Sequence, residues 1–116
     1  MKINEKLIPS IASFYNNGGN GYIRFNNGFQ ICWLTKTSQQ LGGNAWGNVY
    51  YSDHSMGNWV SSFTNCYAVW PSLQTLQYWS TCADWNTTSA GKIRVFRPNN
   101  SKATETLRII GIGNWK

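Results

Sequence analysis

Acidic residues are scarce in this chain: 4 Asp and Glu stand against 10 Lys and Arg, and charged residues make up only 12% of the 116. So few charges exclude a disordered, self-repelling polyelectrolyte. The net charge of +6 is spread singly along the chain with no Lys/Arg run, which leaves a weak footprint for phosphate backbones. The strand of alternating basic and aromatic residues that marks single-strand nucleic-acid modules is missing too. No nucleic-acid partner is expected.

Catalytic and metal-binding signatures are equally thin. His54 is the single histidine, so no histidine pair can hold a metal. With Asp53 it suggests an acid–base pair, but neighbouring side chains in a turn diverge, and a solvated turn is the simpler reading. Asp84 and Glu105 have no spacing that argues for a glycosidase pair. No G-x-S-x-G elbow occurs, and Gly42-Gly43 lacks the Lys-Ser/Thr of a phosphate loop. The expectation is a non-enzymatic protein without metal or cofactor. Cys32, Cys66 and Cys82 cannot all pair and form no CxxC. Small buried thiols are the simple reading, and one disulfide with a spare thiol is the alternative. Neither a signal segment nor a run near ~18 apolar residues is present. The expected product is soluble, made in the cytoplasm without a signal peptide and not inserted in membrane.

Aromatics are what the chain has in abundance: 7 Trp, 6 Tyr and 5 Phe. Each buries roughly 150–250 Å², more than one small core can hold. Some are therefore expected in a subunit interface or a ligand groove. The surroundings, rich in Asn, Ser, Thr and Gly, suit a carbohydrate-facing or extracellular β-protein.

The strongest local signal runs from Gly21 to Leu34. Asn27-Gly28 tolerates positive φ and reads as a two-residue hairpin turn. Beyond it Phe29, Ile31 and Trp33 alternate with Gln30, Cys32 and Leu34, and the strand pattern places Trp33 in the core. Residues 1–15 have Ile3, Leu7, Ile11 and Phe14 at near-helical spacing broken by Pro9, giving a short helical turn or an extended lead-in. Residues 16–20 read as a loop, and 35–48 as a long surface loop.

Val49-Tyr50-Tyr51 is a short strand followed by a turn at 52–58. Residues 59–69 form one bent strand or two, ended by Pro71. In 73–79, Gln74, Leu76 and Tyr78 are expected to face inward. Residues 83–91 are a polar loop, 92–97 a clear strand, and 106–113 a closing strand. That last strand carries Leu107 and Ile109 on one face and Ile110 and Ile112 on the other, which implies burial on both sides. Six to eight short strands between Gly/Asn/Pro loops predict an all-β fold, a small antiparallel sandwich or barrel.

Asn20-Gly21-Tyr22 through Trp33 resembles the "NGY-x-K-x-PNG-x-I-x-QWG" opening of the C-terminal receptor-binding domains of bacteriophage and prophage tail-fibre proteins. Asn20, Gly21, Tyr22, Asn27, Gly28, Ile31 and Trp33 match it, whereas Asn26, Cys32 and Leu34 replace the usual Pro, Gln and Gly. Residues 107–115 resemble the closing "xx-W-IAIGY" strand through Ile110, Ile112 and Gly113, with Gly111 where Ala is usual. The resemblance spans roughly Asn20 to Trp115, which divides the chain into a fibre-tip domain at 20–116 and an N-terminal lead-in or stalk-proximal segment at 1–19.

It implies a small antiparallel β-sandwich assembled as a parallel homotrimer at the tip of a virion or phage-tail-like fibre. The tip would follow an upstream shaft and recognise bacterial surface polysaccharide or protein. Leu107, Ile109, Ile110, Ile112 and Trp115 become candidates for the trimer interface. Other readings are a structural trimerisation or capping module without receptor contact, and a stand-alone lectin. Candidate ligand contacts are Trp46, Tyr50, Tyr51, Trp59, Tyr78, Trp79 and Trp85, whose faces can stack on sugar rings beside amide and hydroxyl groups. Trp46 and Trp85 lead because each stands in polar surroundings. The strand-borne Arg24, Arg94, Arg97 and Arg108 read as exposed or interfacial, with attraction to anionic glycans as the functional alternative.

Overall fold

The computed structural model describes residues 10–73, 75, 78–101 and 103–116. It is an antiparallel β-sandwich without helix among those residues, as the strand pattern predicts. Nine strands are described: β1 (Ile11–Asn17), β2 (Asn20–Phe25), β3 (Phe29–Leu41), β4 (Asn44–Trp46), β5 (Val49–Asn58), β6 (Asn65–Ser72), β7 (Trp79–Ala83), β8 (Ser89–Arg97) and β9 (Ala103–Asn114). One sheet has the order β1-β2-β3-β9-β6 and the other β4-β5-β8-β7.

The hairpin at the start of the larger sheet pairs Arg24 with Gln30 and Gly21 with Trp33. Its loop therefore holds three residues, Asn26-Asn27-Gly28, rather than two. The Gly28 amide closes on the Phe25 carbonyl at 2.9 Å, and Gly28 alone in the loop takes positive φ, at 98°. A turn that ends on a left-handed glycine gives this loop length.

The alternation in β3 has the opposite phase to the expected one. Gln30, Cys32 and Leu34 face the core, while Phe29, Ile31 and Trp33 lie on the outer face. Gln30 is tolerated inside because its amide is satisfied. Its Nε2 donates to the Ser61 carbonyl at 2.9 Å, and its Oε1 accepts from Arg24 Nε at 2.6 Å. An unpaired amide there would cost about 1–3 kcal/mol.

Other local expectations change for related reasons. Residues 11–17 pair with β2, so the sheet takes in residues that a boundary after residue 19 assigns to a lead-in. Residues 1–9 of that segment lie outside the described residues. The predicted surface loop at 35–48 is largely strand, because the polar half of β3 pairs through Leu41 with the equally polar start of β9. The predicted turn at 52–58 is also strand, hydrogen-bonded to β8 with irregularities near Gly57. β6 continues through Pro71, which it tolerates as an edge strand. The inward face expected for Gln74 and Leu76 lies outside the described residues.

The core combines Cys32, Leu34, Leu41, Leu107 and Ile109 from one sheet with Met56, Ile93 and Val95 from the other. Trp59 and Phe63, on the crossing before β6, fill it from the side, with rings edge-on at 5.5 Å. The buried Arg97 guanidinium donates through Nη1 to the Leu41 carbonyl at 3.0 Å and to the Ser101 carbonyl. It also lies over the Tyr78 ring at 4.9 Å. Cys32, Cys66 and Cys82 are free thiols, and burial pushes the Cys32 thiol up to about 11.

Candidate ligand-binding face

Strand register builds the candidate site on the outer face of the smaller sheet. Tyr51 lies opposite Phe96, which lies opposite Trp79. One row along, Asp53 faces Arg94 and Arg94 faces Thr81; beyond that, Ser55 faces Lys92 and Lys92 faces Ala83. Side chains two apart share a face, so these rows form one surface. β4 pairs beside β5 and folds Trp46 over it.

The Trp46 ring sits 6.0 Å from Tyr51, edge-on, and 5.5 Å from Phe96. Trp79 stacks on the other side of Phe96 at 5.7 Å and 12°. Trp46 and Trp79 are nevertheless 56% and 50% exposed. With Phe96 between them, they leave a contiguous aromatic patch on this face. Beside them Arg94 grips Asp53 with two hydrogen bonds, Nε to Oδ1 at 2.7 Å and Nη2 to Oδ2 at 2.8 Å. Its flat face lies 4.1 Å from the Tyr51 ring centre. The pair holds the Asp53 carboxyl below its usual range and raises Arg94 further. Trp46, Phe96, Asp53, Arg94, Lys92 and Asp84 are among the residues that line a recess of about 410 Å³.

Three of the seven ligand candidates, Trp46, Tyr51 and Trp79, thus come together. The others do not. Trp59 is 4% exposed, its Nε1 donating to the Asn86 carbonyl at 3.0 Å, so it belongs to the core. Tyr50 points to the opposite face of β5, paired with Arg97. Tyr78 is half-buried under the same Arg97. Trp85 is half-buried in the loop before β8, apart from the recess lining.

Phe96, Asp53, Lys92 and Asp84 also line this recess, and in the sequence none of them stands out individually as a binding residue, while Arg94 does so only as a strand-borne cation. The alternation Lys92-Ile93-Arg94-Val95-Phe96 carries the signal, because Ile93 and Val95 face inward and push the other three outward. Asp53 is obscured by the apparent turn. His54 is likewise not solvated in a turn: it is half-buried in β5, its Nε2 2.8 Å from Ser52 Oγ. Since Ser52 Oγ accepts from the Gly42 amide, its proton is free for the imidazole. Ser52 is itself buried, so this pair locks a strand. Among the described residues, no three His, Cys, Asp or Glu side chains gather as a metal site would need.

The interface candidates divide as well. Leu107 and Ile109 are fully buried between the two sheets and are core. Trp115 is used within the chain, its Nε1 donating to the Phe25 carbonyl at 2.8 Å and its ring lying 4.9 Å from the Arg24 guanidinium. Ile110 and Ile112 do face outward. Register extends them into two rows across the larger sheet: Phe14, Ile23, Ile31, Ile112 and Ala68, then Trp33, Ile110 and Trp70. Phe14, Ile110 and Trp70 are 63%, 40% and 51% exposed.

No family model matches this chain, and the search of curated proteins finds no match. Among solved structures it is similar to a C-terminal fragment of the P. aeruginosa R1 pyocin fibre. That match has 14% identity and a TM-score of 0.60, and covers 84% of this chain and 27% of the other. It is also similar to an N-truncated R1-type pyocin tail fibre at 14% identity, with a TM-score of 0.66. There the match covers 95% of this chain and 91% of the other. The chain therefore spans about a quarter of the longer fragment and nearly all of the shorter one, and it shares their fold.

Proposed function

We propose that this chain is a non-enzymatic, receptor-binding module of a phage or phage-like tail fibre. It assembles as a homotrimer through the outer face of its larger sheet. The outer face of the smaller sheet then meets polysaccharide or protein on the bacterial surface. The observation that carries this reading is the contrast between the two outer faces. One is apolar across all five strands, as an interface core is. The other combines half-exposed aromatics with an ion pair around a recess, as a ligand site does. The likeness to pyocin fibre structures and the motif resemblance at both ends of the chain support the fibre context. A cyclic trimer would cover the apolar face without leaving it free to aggregate.

The test joins solution mass to adhesion. Sedimentation equilibrium at micromolar concentration should give three times the chain mass, and labelled protein should adhere to some strains of a bacterial panel and not others. A monomer removes the trimer. A trimer that adheres to no strain reduces the module to a structural cap.

A further inference from the structure

Resting on that reading, we infer that the recess on the smaller sheet takes an uncharged pyranose unit of a bacterial surface glycan. Its charges determine the class. The recess lining carries two cations, Lys92 and Arg94, and two carboxylates, Asp53 and Asp84, so it has no excess charge with which to select an acidic sugar or a phosphate. Arg94 could in principle clamp an anion with its planar fork. The Nε–Nη2 side of that fork is held by Asp53, whose carboxylate offsets the guanidinium charge, and Tyr51 lies against its flat face.

Asp53 is what the pairing leaves available. A carboxylate accepts at about four lone-pair positions, and Arg94 fills two of them. Asp53 keeps a side-chain exposure of 38%, so its remaining positions face solvent and can accept two sugar hydroxyls. The lowered carboxyl pKa keeps it an acceptor through the neutral range. Trp46 supplies the apolar half of the site: its ring is braced by Tyr51 and Phe96, so its exposed side offers a fixed platform for the C–H face of a pyranose. The volume of about 410 Å³ is at the small end of the ~300–1,000 Å³ typical of ligand clefts. That suits one or two sugar rings better than a folded loop of a protein.

The experiment uses the full chain and purified bacterial surface polysaccharides, grouped by whether the repeat unit is uncharged or bears uronic acid, sialic acid or phosphate. Biolayer interferometry is run between about 50 mM and about 500 mM salt, a range over which exposed ion-pair attraction is largely screened. The expected result is binding to at least one uncharged polysaccharide that changes less than about twofold across that range. Trp46→Ala and Asp53→Asn should each weaken it more than about tenfold, a loss of one stacking or charged contact. Trp46→Phe should retain most of it. Both positions are exposed, and circular dichroism melts of the variants should match the parent.

Binding confined to acidic polysaccharides, or a fall of more than about tenfold with salt, overturns the inference. So does binding to no polysaccharide. Strain-specific adhesion that survives both Trp46→Ala and Asp53→Asn would leave the fibre reading standing and remove this site from it.

Discussion

Gly111 has no room for a methyl group. A Cβ placed there would lie 2.7 Å from the Trp59 indole, and Trp59 is locked on its other side by Phe63 and by its hydrogen bond to Asn86. This accounts for a small departure in the closing strand, where the motif it resembles usually has Ala: here Trp59 occupies the space. Gly111→Ala should therefore destabilise the fold by about 1–3 kcal/mol, the usual cost of overpacking, measured by urea unfolding. In a Trp59→Leu background the same change should cost clearly less, because the two residues share one space.

His54 makes a second residue-scale prediction. Burial holds its imidazole below the ordinary range, more strongly than neighbouring Asp53 raises it. The unfolded chain then binds the proton more readily than the folded one, so stability is full above a pH of about 6.5 and falls as pH drops toward the lowered pKa. A His54→Gln variant should show a flatter stability profile between about pH 5 and 7. An unchanged slope would mean that His54 is not the group responsible.

The strands show how far local pattern reaches. β8 was legible because Ile93 and Val95 alternate with long polar and aromatic side chains, and β9 because apolar groups occupy both of its faces. β3 was legible as a strand but not in its phase: bulk and hydrophobicity favour Trp33 as the inner residue, and the structure puts Gln30 there. The Ser61 carbonyl takes the Gln30 amide from 31 positions away and so makes that phase tolerable, and no window on the sequence sees that bond. The polar ends of β3 and β5 were missed for the same reason, since backbone pairing from β9 and β8 orders them without an apolar stripe. The candidate site was half legible: isolation in polar surroundings drew attention to Trp46 but equally to Trp85, which lies apart from the recess, and only cross-strand register joins Trp79 to Phe96, Arg94 and Asp53.

At the scale of this element, Gln30→Ala should cost about 1–3 kcal/mol by leaving Arg24 Nε without its acceptor and the Ser61 carbonyl with only the weak Cys32 thiol donor. It should leave oligomeric state unchanged. Trp33→Ala should act the other way round, lowering self-association more than the stability of the single chain. Chemical denaturation and sedimentation of the two variants separate these outcomes.

The whole molecule places its apolar outer face and its aromatic, ion-paired outer face back to back, with one core between them. If the larger sheet forms the threefold contact, the three smaller sheets point outward and each trimer carries three recesses. Ile110 tests the arrangement, since it stands mid-sheet between Trp33 and Trp70 and is 40% exposed in the single chain. Ile110→Asp would strand three carboxylates in an apolar contact, where an unpaired buried charge costs several kcal/mol. The variant should sediment as a folded monomer, because the same carboxylate in a free chain reaches water.

Its affinity for a short soluble glycan fragment should match that of the parent, as the recess lies on the other sheet. Its adhesion to a cell surface carrying many copies of that glycan should fall by about 10²-fold or more, the gain that linked sites ordinarily provide. Equal adhesion by monomer and trimer would mean that a single recess, or a different surface, holds the cell. A variant that remains trimeric would move the threefold contact off this sheet.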